Sequence, residues 1–112
     1  VSEYSPERGD AVWLDFNPQS GREQAGRRPA FVISPRSYNQ KVRLFVACPI
    51  TTKRKGYPFE VVIPEELKVS GVILCDQLKS LDWRERRAEL ICPLPEDVTV
   101  RVLQRVKALL NL

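Results

Sequence analysis

With 112 residues the chain has room for one compact domain, residues 1–112, because each half of a two-domain chain would bury too little surface to be stable. Its 43% hydrophobic and 29% charged composition excludes a disordered polyelectrolyte, and no apolar run approaches the ~20 residues that cross a bilayer. The net charge of +4 hides an asymmetry: residues 22–55 carry nine Lys or Arg against one acid, Glu23, and the remainder is net negative, which is the footprint of a polyanion-binding face or, more plainly, of a solvated basic one.

The first predicted element is a strand over residues 9–16, where Val12, Leu14 and Phe16 alternate with Ala11, Trp13 and Asp15. Asn17-Pro18-Gln19-Ser20-Gly21 opens a polar loop that runs to Arg28, and residues 29–34 resume an apolar strand. A third strand is predicted over residues 43–48 and a fourth over 59–63, separated by the basic, Gly- and Pro-containing segment 53–58. Residues 72–78 form a fifth, and 87–91 a short sixth after a helical turn near Trp83 to Arg86. At the end of the chain Val98, Val102, Val106, Leu109 and Leu110 recur at three- and four-residue spacing, with Glu96 and Asp97 ahead and Lys107 behind, which predicts a helix with its charges matched to its dipole. Short strands, tight turns and one terminal amphipathic helix predict a mainly β fold with α, a small half-open β-barrel carrying the helix on one side.

The chemistry is bounded by an absence: there is no histidine, so paired-imidazole nucleases, Ser-His-Asp hydrolases and His-ligated metal enzymes are excluded. The acids lack the close spacing of a two-metal nuclease and no phosphate-binding glycine loop is present, so no metal or cofactor is expected. Cys48, Cys75 and Cys92 are odd in number, form no CxxC pair and have apolar neighbours, which predicts reduced core thiols. Residues 1–6 show no basic start followed by an apolar core, which predicts no secretory signal and a cytoplasmic location.

The loop Gly21-Arg22-Glu23-Gln24-Ala25-Gly26-Arg27-Arg28-Pro29-Ala30 resembles the E-Q-x-G-x-R-P-A signature of the MazF toxin family. Two further blocks agree in order, Pro49-Ile50-Thr51-Thr52 with Lys55-Gly56-Tyr57-Pro58-Phe59-Glu60-Val61, and Asp76-Gln77-Leu78-Lys79-Ser80 with Trp83; Gly9-Asp10 opens the first strand as in the family. The resemblance implies the half-open barrel of the MazF, Kid and CcdB toxin type, a homodimer with single-stranded RNA across its face, metal-free cleavage at a short sequence, and inhibition by a MazE-like antitoxin with an acidic tail. It places the essential arginine on Arg28, the essential threonine on Thr51 and a supporting carboxylate on Glu23.

Physical chemistry supports those positions. Attack of an RNA 2′-hydroxyl on the adjacent phosphorus builds a dianionic five-coordinate centre, which a guanidinium holds in a fork and a hydroxyl supplements, while a carboxylate helps remove the proton. The expected products are a 2′,3′-cyclic phosphate and a 5′-hydroxyl. Asn39 and Gln77 offer paired donors and acceptors to base edges, Lys53, Lys55, Lys79 and Arg86 offer cations to phosphates, and Trp13 and Trp83 offer stacking faces, Trp13 being more readily a core or interface residue. Two alternatives stay open on sequence: a CcdB-like gyrase poison, against which stands the non-aromatic terminus Leu109-Leu110-Asn111-Leu112, and a non-catalytic RNA-binding barrel.

Overall fold

The computed structural model describes residues 4–15 and 26–112. Elements follow in the order β1 (Asp10–Asp15), β2 (Arg27–Val32), α1 (Arg36–Val42), β3 (Leu44–Thr51), β4 (Glu60–Val62), β5 (Val72–Leu74), β6 (Lys79–Asp82), β7 (Glu89–Pro93) and α2 (Glu96–Leu110). The strands form one antiparallel sheet in the order β4-β5-β3-β2-β1-β7, with β6 also on β3. It does not close on itself, so the expected half-open barrel with its C-terminal helix is the fold.

β3 is the hub. One edge pairs with β2 through Ala47, Cys48 and Pro49, while the other serves β6 over Leu44 to Ala47 and then β5 at Ile50 and Thr51. Both faces of the central strands are buried, and alternate side chains enter different clusters. Ala11, Phe31, Cys48 and Ile50 point into one core with Val98 and Val102 of α2; Val12, Leu14, Ala30, Val32, Phe45 and Ala47 point into a second with Trp83. That double burial explains why β2 and β3 read as nearly unbroken apolar runs.

Several boundaries differ from the sequence-based expectation for local reasons. β2 begins at Arg27, so Arg28 lies on the strand and not at the end of the loop before it. The run 72–78 is split, because the chain turns after Leu74, with the Gln77 N–H bonded to the Leu74 carbonyl, and β6 starts at Lys79. The helical turn near Trp83 is a hydrogen-bonded turn whose Arg84 and Glu85 N–H groups donate to Asp82 Oδ1, and Arg87 leaves it at φ 53°. α1 has no predicted counterpart: it starts after Pro35, ends where Arg43 adopts φ 67°, and buries only Asn39.

α2 forms as expected, with Glu96 and Asp97 in its first turn, Lys107 in its last, and Asn111 at φ 59° closing it. Val98 and Val102 are fully buried, whereas Leu109, Leu110 and Leu112 are exposed. Among the described residues no helix is long and apolar enough to cross a membrane.

Candidate nucleic-acid interface

Arg28 and Thr51 meet where β2 and β3 run out of the core. The pairing of these strands ends at Ala30 with Pro49, and two residues further along each strand lie Arg28 and Thr51. The two-residue side-chain period puts them on one face, in line with Ala30 and Ala47 of the second core but beyond its cover. Both line a cleft of about 370 Å³ whose walls also include Pro29, Thr52, Lys53 and Ser70.

The two neighbouring arginines of this cleft differ in what they are bonded to. Arg27 gives Nη1 to Asp15 Oδ1 at 2.7 Å and Nη2 to Glu89 Oε1 at 3.0 Å and to the Arg87 carbonyl at 2.9 Å. Asp15 also takes Arg87 Nε at 2.8 Å, and hydrogen bonds from Arg87 and Arg27 hold its carboxyl below the usual carboxylate range. Arg27 is therefore committed to the sheet. Arg28, across from Leu14 in the register, is exposed, and its side chain has no ion pair or hydrogen bond among the described residues.

Thr51 is oriented by its own chain. Its Oγ1 accepts the Lys53 N–H at 3.1 Å, which leaves the hydroxyl hydrogen available for donation. Gly71, at φ +115°, lies so close that a Cβ there would collide with the Thr51 carbonyl oxygen. The approach of the 70–71 segment, and with it the Ser70 wall of the cleft, depends on that missing side chain.

A second hollow of about 190 Å³ shares Thr51 and Lys53 with the first and is lined further by Lys55, Tyr57, Glu60, Leu74 and Gln77. Its rim is held by backbone contacts: Glu60 accepts the N–H groups of Lys55 at 2.9 Å and Gly56 at 3.0 Å, and Arg105 of α2 donates to the Pro58 carbonyl at 2.8 Å. The Tyr57 hydroxyl donates to Asp76 Oδ1 at 2.8 Å, a bond that pushes its ionisation up to about 12 and keeps it neutral.

The structure thus brings together Arg28, Thr51, Lys53, Lys55 and Gln77 of the residues named from sequence. Lys79 is exposed at the start of β6, two residues beyond Gln77 and outside both hollows. Arg86 lies on the turn before β7, where Nη1 donates to the Asp15 carbonyl at 3.1 Å. Glu23 lies outside the described residues.

Asn39 requires correction as a base-reading residue. It is fully buried, its Nδ2 donates to the carbonyls of Pro6 at 2.9 Å and Ser34 at 3.0 Å, and its Oδ1 accepts the Ser34 hydroxyl at 2.6 Å, so the amide is consumed in holding the N-terminal segment and α1 to the sheet. Trp83 is likewise a core residue, 8% exposed, with its indole N–H on the Asn39 carbonyl at 3.0 Å, whereas Trp13 is 39% exposed. Ser70, Thr52 and Tyr57 are not singled out by the sequence; Thr52 and Tyr57 stand inside the family-like blocks, but nothing in the spacing shows that either side chain lines a hollow.

Cys48 and Cys75 are fully buried, and burial pushes their thiols up to about 12 and about 11, so they are protonated and have no access to a substrate. Among the described residues no three His, Cys, Asp or Glu side chains converge on a common point.

A family model described as PemK-like, MazF-like toxin of type II toxin-antitoxin system matches residues 7–110. The chain is 47% identical to the endoribonuclease toxin MazF of Escherichia coli K12, over 99% of this chain and 96% of that protein. It is 36% identical to the endoribonuclease toxin ChpB of the same organism over 94% of each. Among solved structures, MazF of Deinococcus radiodurans superposes with a TM-score of 0.88 at 52% identity, covering 98% of this chain and 100% of that one. A MazE-MazF complex from that organism gives a TM-score of 0.88 at 47% identity, covering 98% and 99%.

Proposed function

Since the chain belongs to the PemK-like, MazF-like toxin family of type II toxin-antitoxin systems, we propose that it is an endoribonuclease that cuts single-stranded RNA at a short specific sequence, without a metal, at the Arg28 and Thr51 cleft. The observation that carries this reading is the contrast between the two arginines. Arg27 is neutralised by Asp15 and Glu89, while Arg28 has no partner among the described residues and shares a cleft with the Thr51 hydroxyl.

In the proposed reaction the 2′-oxygen forms a bond to the adjacent phosphorus and the bond to the 5′-oxygen breaks. One fragment is left with a 2′,3′-cyclic phosphate, and the departing 5′-oxygen takes up a proton. Arg28 holds two phosphoryl oxygens as charge accumulates, and the Thr51 hydroxyl donates to the same centre. Glu23 is proposed to assist removal of the 2′-proton. Lys53 and Lys55 hold flanking phosphates and Gln77 reads a base edge; Lys79 and Arg86 extend the basic path further along the strand.

Two association states complete the proposal. The exposed apolar side chains Trp13, Val62, Leu90, Leu109 and Leu110 suit a homodimer, and the basic cleft suits the acidic tail of a MazE-like antitoxin lying where RNA would lie; the Deinococcus radiodurans relative is found with MazE.

The test is incubation of the purified protein with a long unstructured RNA in EDTA, beside Arg28→Ala, with fragment ends mapped by sequencing. Discrete cuts ending in cyclic phosphate, abolished in the variant while RNA binding persists, support the reading. Intact RNA would favour the gyrase-poison or passive-binder alternatives, and 5′-phosphate ends or inhibition by EDTA would overturn the metal-free mechanism.

A further inference from the structure

The second hollow has an aromatic wall that the mechanism above leaves unused. It shares Thr51 and Lys53 with the Arg28 cleft, so the hollow lined by Tyr57 adjoins the place where a phosphate would meet Arg28. The ring is fixed before any ligand arrives. Its hydroxyl is tied to Asp76, the next carbonyl along the chain is tied to Arg105, and the preceding N–H is tied to Glu60. A tyrosine whose one polar side-chain atom is already satisfied presents a π-face with no hydrogen bond left to seek, which is the chemistry of a stacking platform. Gln77 follows Asp76 in the chain and lines the same hollow, with no side-chain partner among the described residues.

We propose that Tyr57 is a base-stacking residue for the nucleotide flanking the cut, and that Asp76 is the residue that positions it. The proposal rests on the endoribonuclease reading given above and assigns the recognition subsite within it.

The test uses Tyr57→Leu, Tyr57→Phe and Asp76→Ala in the full chain, with a short single-stranded RNA containing the sequence that the unsubstituted protein cuts. Stacking stabilises bound substrate and transition state alike, so Tyr57→Leu is expected to raise KM about tenfold or more while changing kcat less than about twofold. Tyr57→Phe keeps the face and loses the anchor, and Asp76→Ala keeps the ring and loses the same anchor. Both are expected to show the same smaller rise in KM. In an Arg28→Ala background, 2-aminopurine placed at the flanking position is expected to be quenched on binding, with quenching lost in Tyr57→Leu and retained in Tyr57→Phe.

An unchanged KM in folded Tyr57→Leu, or a loss confined to kcat, overturns the stacking role. Asp76→Ala indistinguishable from the unsubstituted protein overturns the positioning role. If Tyr57→Leu does not fold, the Arg28→Ala protein decides alone, because absence of quenching at every position flanking the cut overturns the proposal. An unsubstituted protein that cuts no RNA removes the endoribonuclease reading and this inference together, whereas an active protein with unaffected variants removes only the inference.

Discussion

Arg27 and Arg28 have the same side chain and both border the cleft, but the strand's alternation separates their bonding: Arg27 is tied to Asp15 and Glu89, while the Arg28 side chain has no partner among the described residues. Arg28→Lys retains the charge and loses the planar fork, so cleavage is expected to fall by roughly 10²–10³-fold while RNA affinity in a filter-binding assay changes only a few-fold. Asn39 belongs to the opposite class. Asn39→Ala removes partners from buried groups of Ser34 and Pro6 and is expected to cost about 2–3 kcal/mol in chemical denaturation. RNA affinity per folded molecule should be unchanged, which separates a structural residue from a base reader. The family signature exposed Arg28 and Thr51 in the sequence. Asn39 was misplaced because an amide able to read a base and an amide able to satisfy buried carbonyls are the same group until its burial is known.

Strands that alternate or run apolar were legible as elements, and so was α2, whose dipole-matched charges and valine spacing are both local signals. α1 was not, because seven residues with one buried position carry no periodicity; its limits are set by Pro35 and by the left-handed Arg43. The contact between Gly71 and Thr51 was invisible for another reason, since it joins the turn before β5 to the end of β3 across the sheet. Gly71→Ala meets both a positive φ and the Thr51 carbonyl, so a loss on the order of 3 kcal/mol is expected in thermal unfolding, with cleavage by the folded fraction also reduced. Two carboxylates at opposite ends of β1 supply a pH signature. Asp15, held down by Arg87 and Arg27, and Glu7, held down by the N–H groups of Arg36 and Arg8, titrate lower folded than unfolded. Their contribution is complete above the ordinary carboxylate range and is lost as pH falls through and below it. Unfolding followed from pH 7 into acid should therefore show a shallower loss in Asp15→Asn than in the unsubstituted protein, and equal slopes would remove Asp15 from the account.

At the scale of the molecule the two cores anchor β3 on both faces, leaving Thr51 at the strand's end as the point where a rigid body meets the solvent-filled cleft. Among the described residues of segment 22–55, the basic ones that line the two hollows are Arg27, Arg28, Lys53 and Lys55, and Arg27 is internally paired. Binding of uncut RNA by Arg28→Ala should consequently weaken with salt, and each of Lys53→Ala and Lys55→Ala should reduce the log–log slope by about 0.7, as expected for one phosphate contact on a single strand. A slope unmoved by either substitution would place the RNA elsewhere. The apolar side chains left exposed are expected to be covered by a second copy; light scattering at micromolar concentration should give twice the 12.9 kDa chain mass, and a monomer would refute the dimer.

The loop joining β3 to β4 is secured almost wholly through its main chain: the N–H groups of residues 53, 55 and 56 and the carbonyl of residue 58 carry the bonds, to Thr51, Glu60 and Arg105. The exposed side chains of Lys53, Arg54 and Lys55 are thereby released from any duty to the loop's shape. Such a segment is an exchangeable face on a fixed mount: its three basic side chains can be replaced without disturbing the bonds that hold the loop, so the chemistry this surface offers can change while Arg28 and Thr51 keep their places.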